Sequence, residues 1–250
     1  MLTEIKKISS LLLSVAFSSI GFIASITVTV LAAREVSSNP LFVGFPNAVG
    51  VGGAVLGTRM IYLISKNNSQ LNALAFTFLI GAFGGAIMFY SLILDSFVLL
   101  LFGAFILGIG QSATLQTRYA ASFVASEKFK ATALSLAVWF SVFGSVFGPR
   151  MVGSYSNFFE NIFNSELIVG YVIALVGMLF AASSLFIFTS KKSILRSPSN
   201  LESESNNQNS NKKNGNLLSL LLVLNHFTMV VIMSATPLHI KDIGETVQLV

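Results

Sequence analysis

The chain has no cysteine among its 250 residues, so disulfides, thiolate nucleophiles and thiolate-ligated metals are closed to it. Charge is scarce as well. Asp, Glu, Lys and Arg make up 10% of residues, against about 25% in an ordinary soluble domain. The two histidines, His226 and His239, have neither metal-ligand spacing nor companion ligands. There is no G-x-S-x-G, no H-E-x-x-H and no phosphate loop. Carboxylates are missing from the apolar runs: Glu35 and Asp95 both stand at run ends. The residues therefore offer no catalytic constellation, no metal site and no cofactor cradle, and an enzyme is not expected.

What is present is apolar bulk: 54% hydrophobic residues, 23 Phe and a mean hydropathy of +0.78. The natural solvent for such a surface is the lipid bilayer. A helix crossing a hydrocarbon core about 30 Å thick needs roughly 20 apolar residues. Seven runs meet that length, at about 8–33, 41–65, 71–94, 97–120, 131–155, 167–190 and 217–237. Transmembrane β-strands require short alternating segments, and these continuous runs do not alternate. Lys6 and Lys7 precede an apolar run too long for a secretory signal core, so the first run reads as a retained helix. The expectation is an all-α, multi-pass membrane protein.

Positive charge in short loops orients such a chain. With the N-terminus inside, Lys6, Lys7, Lys66, Lys128, Lys130, Lys191, Lys192, Arg196, Lys212 and Lys213 are cytoplasmic, and only Arg34 and Lys241 are external. The cell (plasma or inner) membrane with a cytoplasmic N-terminus is the expected location. This asymmetry accounts for a pI near 9.6 without a nucleic-acid partner. The segment Lys191–Asn216 has almost no apolar residues and is expected to be a disordered cytoplasmic linker. It divides the chain into a six-helix bundle (1–190), the linker (191–216) and the first helix of a further half (217–250).

The fifth run contains Gly144-Ser145-Val146-Phe147-Gly148-Pro149-Arg150-Met151-Val152-Gly153. Small residues one turn apart permit close backbone approach, and proline permits a bend. The run resembles the G-x-x-x-G-P-x-x-G-G signature in helix 5 of major facilitator superfamily (MFS) transporters, with Val152 at the second-last glycine. Leu107-Gly108-Ile109-Gly110-Gln111, Arg118-Tyr119-Ala120-Ala121 and Ala133-Leu134-Ser135-Leu136 are similar to helices 4 and 5 of bacterial drug- and metabolite-efflux members. The stretch from Met229 to His239 is similar to their helix 7. Two family features are missing. The loop after the second run has two bases and no Asp across Gly57 to Lys66, and no Arg stands near Ala104. Neither the charge latch nor the proton-coupling arginine of those motifs is carried over.

The resemblance implies a six-helix MFS half-bundle of two inverted three-helix repeats plus a seventh helix. It implies secondary transport of a small organic solute by alternating access, including efflux. It also implies a second half, absent because the chain is truncated or supplied by another polypeptide. A non-transporting remnant or partner subunit is the competing expectation. Runs one, four and seven would line the cavity. Ser14, Ser18, Gly21 and Ser25 share one small-polar face of the first, and Gln111, Thr114 and Arg118 share a face of the fourth. Asn225, Thr228 and Thr236 group on the seventh. The competing reading is that these groups merely bond neighbouring helices or their own backbone. Arg118 and Arg150 are either functional charges or snorkelling ones, and Arg59 reads as an inner-edge anchor. Arg150 and His226 are the candidates for coupling. The Gly53-x-x-x-Gly57 face of the second run, and the Gly144, Gly148 and Gly153 face of the fifth, are expected to touch the other half.

Overall fold

A computed structural model describes residues 2–37, 42–163, 165–189 and 228, with side chains of 2–7, 67, 188 and 189 excepted. Among these residues there are no strands. Six helices are long and apolar enough to cross a membrane: α1 (Leu2–Val36), α2 (Phe45–Asn67), α3 (Gln70–Ile93), α4 (Phe97–Val124), α5 (Lys130–Phe163) and α6 (Ile168–Thr189). Each expected run from the first to the sixth is one helix. The linker and the seventh run lie outside the described residues, apart from Thr228, which is helical and exposed.

Local signals set the helix ends. Pro46 stands in the first turn of α2, where its missing N–H has no intrahelical role. α3 closes on Asp95 in the left-handed region (φ 45°), with Ser96 N donating to Ser91 O at 3.0 Å. Asp tolerates that conformation better than most residues. The Ser96 side chain then accepts from Leu99 N at 3.4 Å and caps α4, so the α3–α4 hairpin needs almost no loop. A short 3-10 turn, Glu127–Phe129, joins α4 to α5, and an exposed Glu127–Lys130 pair at 2.6 Å spans the junction.

Close contacts fix the direction of each helix. Gly81 meets Gly110 and Gly84 meets Leu107, so α3 and α4 are antiparallel. Gly50 meets Gly108 and Gly57 meets Ser112, so α2 and α4 are parallel. Gly144 on Ser19 and Gly148 on Ala24 make α5 parallel to α1, while Gly177 on Gly21 and Gly170 on Val28 make α6 antiparallel to it. The principal contacts map onto themselves when α1, α2 and α3 are exchanged with α4, α5 and α6. α1 on α6 becomes α4 on α3, α1 on α5 becomes α4 on α2, and α1–α4 and α3–α6 return to themselves. Exchanged helices run in opposite directions. The bundle is thus two inverted three-helix repeats, as in an MFS half.

The repeats meet at a waist with one glycine from every helix: Gly21, Gly57, Gly81, Gly110, Gly144 and Gly177, each near the middle of its helix. A Cβ on Gly110 would lie 2.5 Å from Gly81 Cα, and one on Gly144 would lie 2.5 Å from Ser19 Cβ. In lipid, helix association depends on packing and interhelical bonds rather than on hydrophobic exclusion, so such approaches carry much of the cohesion.

These contacts correct one expectation. The glycine faces of α2 and α5 do not await an outside partner. Gly53 and Gly57 pack on α4, and Gly144 and Gly148 pack on α1. The opposite faces are the open ones: 22% of the apolar window of α2 and of α5 is buried, against at least 50% in the other four helices. Sequence pattern misassigned the faces because a small-residue stripe marks where backbones touch without saying whose. α5 also runs eight residues beyond its expected end at 155, to Phe163.

Candidate functional site

A cavity of about 310 Å³ opens between α1, α2 and α4, with Met88 of α3 at its margin. α1 contributes Ser19, Phe22, Ser25, Ile26 and Thr29, and α2 contributes Pro46, Asn47 and Gly50. From α4 come Ala104, Leu107, Gly108, Gln111, Thr114, Leu115 and Arg118, a stripe at three- and four-residue spacing. The helix directions give the cavity two ends. Thr29, Pro46, Asn47, Met88 and Ala104 lie on the side of the waist where α1 finishes and α4 begins. Arg118 and Thr114 lie on the other side, with Ser19 at the waist beside Gly144.

Hydrogen bonding separates structural hydroxyls from available ones. Ser14 donates to Leu11 O (2.9 Å), Ser18 to Val15 O (3.3 Å) and Ser25 to Phe22 O (2.7 Å). Thr29, Thr77, Ser91, Ser112 and Thr117 likewise donate to carbonyls of their own helices. The hydroxyls of Ser19 and Thr114 do not. Each residue is 3% exposed, and neither oxygen has a hydrogen-bond partner among the described residues. Arg118 Nε is buried and similarly unpartnered. All three line the same cavity. Ser69 and Ser165 also have orphaned hydroxyls, but neither of them lines it.

Of the cavity residues expected from sequence, the structure brings together Ser25, Gln111, Thr114 and Arg118. Ser14 and Ser18 are elsewhere. Both are fully buried, and their stripe continues through Gly21, where a Cβ would lie 3.0 Å from Ala174 Cα of α6. That stripe is a packing seam, and the neighbouring face at Ser19, Phe22, Ile26 and Thr29 faces the cavity. The glycine within the seam was the usable signal, because close helix approach requires it. Asn47 was missed for want of any periodic companion on α2.

Arg150 is exposed on α5, near Trp139, Phe143 and Phe147 on the same helical face, and does not line the cavity. Gly144 and Gly148 are buried on α1, Pro149 stands inside α5, and Gly153 is half-buried. Arg59 is exposed only two residues beyond the waist glycine Gly57. It lies about 12 Å from the end of α2 by helical rise, deeper than an inner-edge anchor. Asn225 and His226 lie outside the described residues, and Thr228 is described without a place in the cavity. Among the described residues there is no cluster of three or more metal-binding side chains.

No family model matches the chain. It is 27% identical over 242 residues to an uncharacterized MFS-type transporter, YdeG, of Bacillus subtilis (strain 168), covering 93% of this chain and 56% of that protein. It is also 27% identical over 250 residues to YddS of the same organism, again described as an uncharacterized MFS-type transporter, covering 96% of this chain and 57% of that one. The chain thus spans a little over half the length of these curated relatives. No solved structure matches.

Proposed function

We propose that this chain, a homologue of MFS-type transporters over nearly its whole length, is the solute-holding half of a secondary transporter. The observation carrying the proposal is the α1–α2–α4 cavity, lined by Ser19, Thr114 and Arg118, each with a buried unpartnered polar atom, beside apolar walls. Pockets that hold small organic molecules are mostly apolar with a few convergent polar groups. Its walls come from both inverted repeats, so rocking of the bundle against a second half would expose it to alternate sides. The N-terminus is proposed to be cytoplasmic in the cell membrane, from the distribution of lysines, with efflux as the direction. Asn225 and Thr228 are proposed to extend the polar lining from the second half, and Arg150 and His226 to act in coupling.

A second half, on the same or another polypeptide, is supported by the open faces of α2 and α5. Each carries an arginine, Arg59 and Arg150. Arginine at a helix centre costs about 2.5–3.5 kcal/mol on insertion scales, so such residues normally face protein or water. The test is solute flux in proteoliposomes holding the chain together with a second half from one of its relatives. Counterflow of a labelled solute, lost in Thr114→Val with protein level unchanged, supports the reading. Flux indifferent to every cavity substitution contradicts it.

A further inference from the structure

We infer that the cavity selects a small organic anion, with a carboxylate held by Arg118, Thr114 and Ser19 and an apolar body along Phe22, Ile26 and Leu107. The inference rests on the cavity being the solute site and specifies what that site accepts. Among the described residues, Arg118 is the one charged residue lining it, and no Asp or Glu lines it. Arginine does not deprotonate in proteins, so the cavity keeps its positive charge at every physiological pH.

The hydrogen-bond inventory points the same way. Ser25 and Thr29, also in the lining, already donate to backbone carbonyls at 2.7 and 2.6 Å. The donors left over are the Ser19 and Thr114 hydroxyls and Arg118 Nε. Asn47 and Gln111 also line the cavity, and each amide brings an acceptor as well as donors, so what the described lining leaves uncompensated is the Arg118 charge. A carboxylate supplies two acceptor oxygens with about four lone-pair sites, matching the guanidinium fork and leaving capacity for two hydroxyls. An ammonium brings only donors and a repelling charge. An amide brings one acceptor oxygen and leaves the guanidinium uncompensated. Apart from the amides of Asn47 and Gln111 the other walls are apolar, so the rest of the anion is a largely hydrocarbon or aromatic body. A volume of about 310 Å³ is at the small end of ligand pockets, which run roughly 300–1,000 Å³.

The test uses the full chain in lipid nanodiscs, with empty nanodiscs subtracted, and tritiated 2-naphthoate as the probe. 2-Naphthamide and 2-naphthylmethylamine compete as neutral and cationic compounds of similar shape. The carboxylate is expected to bind at least about tenfold more tightly than either, the scale of one charge-assisted hydrogen bond. Arg118→Gln is expected to collapse that preference to about threefold or less, and Arg118→Lys to retain part of it. Ser14→Ala, away from the cavity, leaves it intact. A second readout covers weak binding: phenylglyoxal modification of Arg118, followed by mass spectrometry, is slowed by naphthoate and unaffected by the amide, while Arg59 reacts at a constant rate. Equal binding of all three compounds, or a preference unchanged in Arg118→Gln, overturns the inference. If the amide or amine binds best and Thr114→Val weakens it, the cavity stands as a solute site and only the anion preference falls. If naphthoate neither binds nor protects, and no compound's binding responds to a cavity substitution, the solute-site reading falls as well.

Discussion

Gly110→Ala is expected to loosen the bundle even though alanine is the better helix former. In the structure the new Cβ would stand 2.5 Å from Gly81 Cα, and the reciprocal Cβ on Gly81 2.7 Å from Gly110 Cα. Ordinary contact begins near 3.4 Å, so α3 and α4 must part by roughly 1 Å, and overpacking on this scale costs about 1–3 kcal/mol. Alanine returns up to about 1 kcal/mol in helix propensity, leaving a net loss of about 0–3 kcal/mol. Parting the helices also thins neighbouring contacts, since a gap of 0.5–1 Å forfeits roughly a quarter to a half of each dispersion well. Gly52→Ala is the control: nothing lies within 4 Å of its Cβ, so only the propensity gain remains. Because each Cβ strikes the other's Cα, the Gly81→Ala/Gly110→Ala double variant should lose less than the sum of its singles. Equilibrium unfolding in mixed micelles compares these four variants with the unsubstituted protein. If Gly110→Ala is as stable as Gly52→Ala, the close waist is refuted.

Three further outcomes follow from other parts of the molecule. Asp95→Gly at the left-handed turn should be neutral or stabilising by up to about 1 kcal/mol, and Asp95→Val destabilising by about 1–2 kcal/mol, read from the same unfolding curves. Trp139 is the sole tryptophan and is exposed on α5, so brominated lipid should quench the chain's fluorescence and a co-reconstituted second half should relieve the quenching. Quenching unchanged by the second half would remove the α5 face from the proposed contact. Gly144→Val, whose side chain would meet Ser19 Cβ, should distort the cavity wall and abolish flux, and unimpaired flux would detach the glycine–proline run from the mechanism.

Much of the fold was legible in the sequence because lipid leaves little choice. A long apolar run in a bilayer must be helical, and six of the seven runs were described as helices. Helix faces were less legible. Ser14, Ser18, Gly21 and Ser25 share a face by periodicity, but periodicity treats a packing seam and a wet wall alike. Their own backbone satisfies Ser14 and Ser18, whereas Ser19, one residue from Ser18, is left with a free hydroxyl. The α4 stripe of Gln111, Thr114 and Arg118 lies along the cavity, as bulky polar residues at successive turns fit poorly into a seam between apolar helices. Arg59 and Arg150 were placed by distance from run ends. That measure fails when a helix such as α5 overshoots the bilayer: its 34 residues reach about 51 Å.

The most direct measurement exploits the missing cysteine. Thr114→Cys and Ser18→Cys each place one thiol in an otherwise cysteine-free protein, and a water-soluble maleimide reports which of them water reaches. The account expects Thr114→Cys to react at least about tenfold faster in native membranes, because a thiol in a wet cavity ionises far more readily than one packed in an apolar seam. Equal rates, or faster labelling at position 18, would contradict an open polar cavity between α1, α2 and α4.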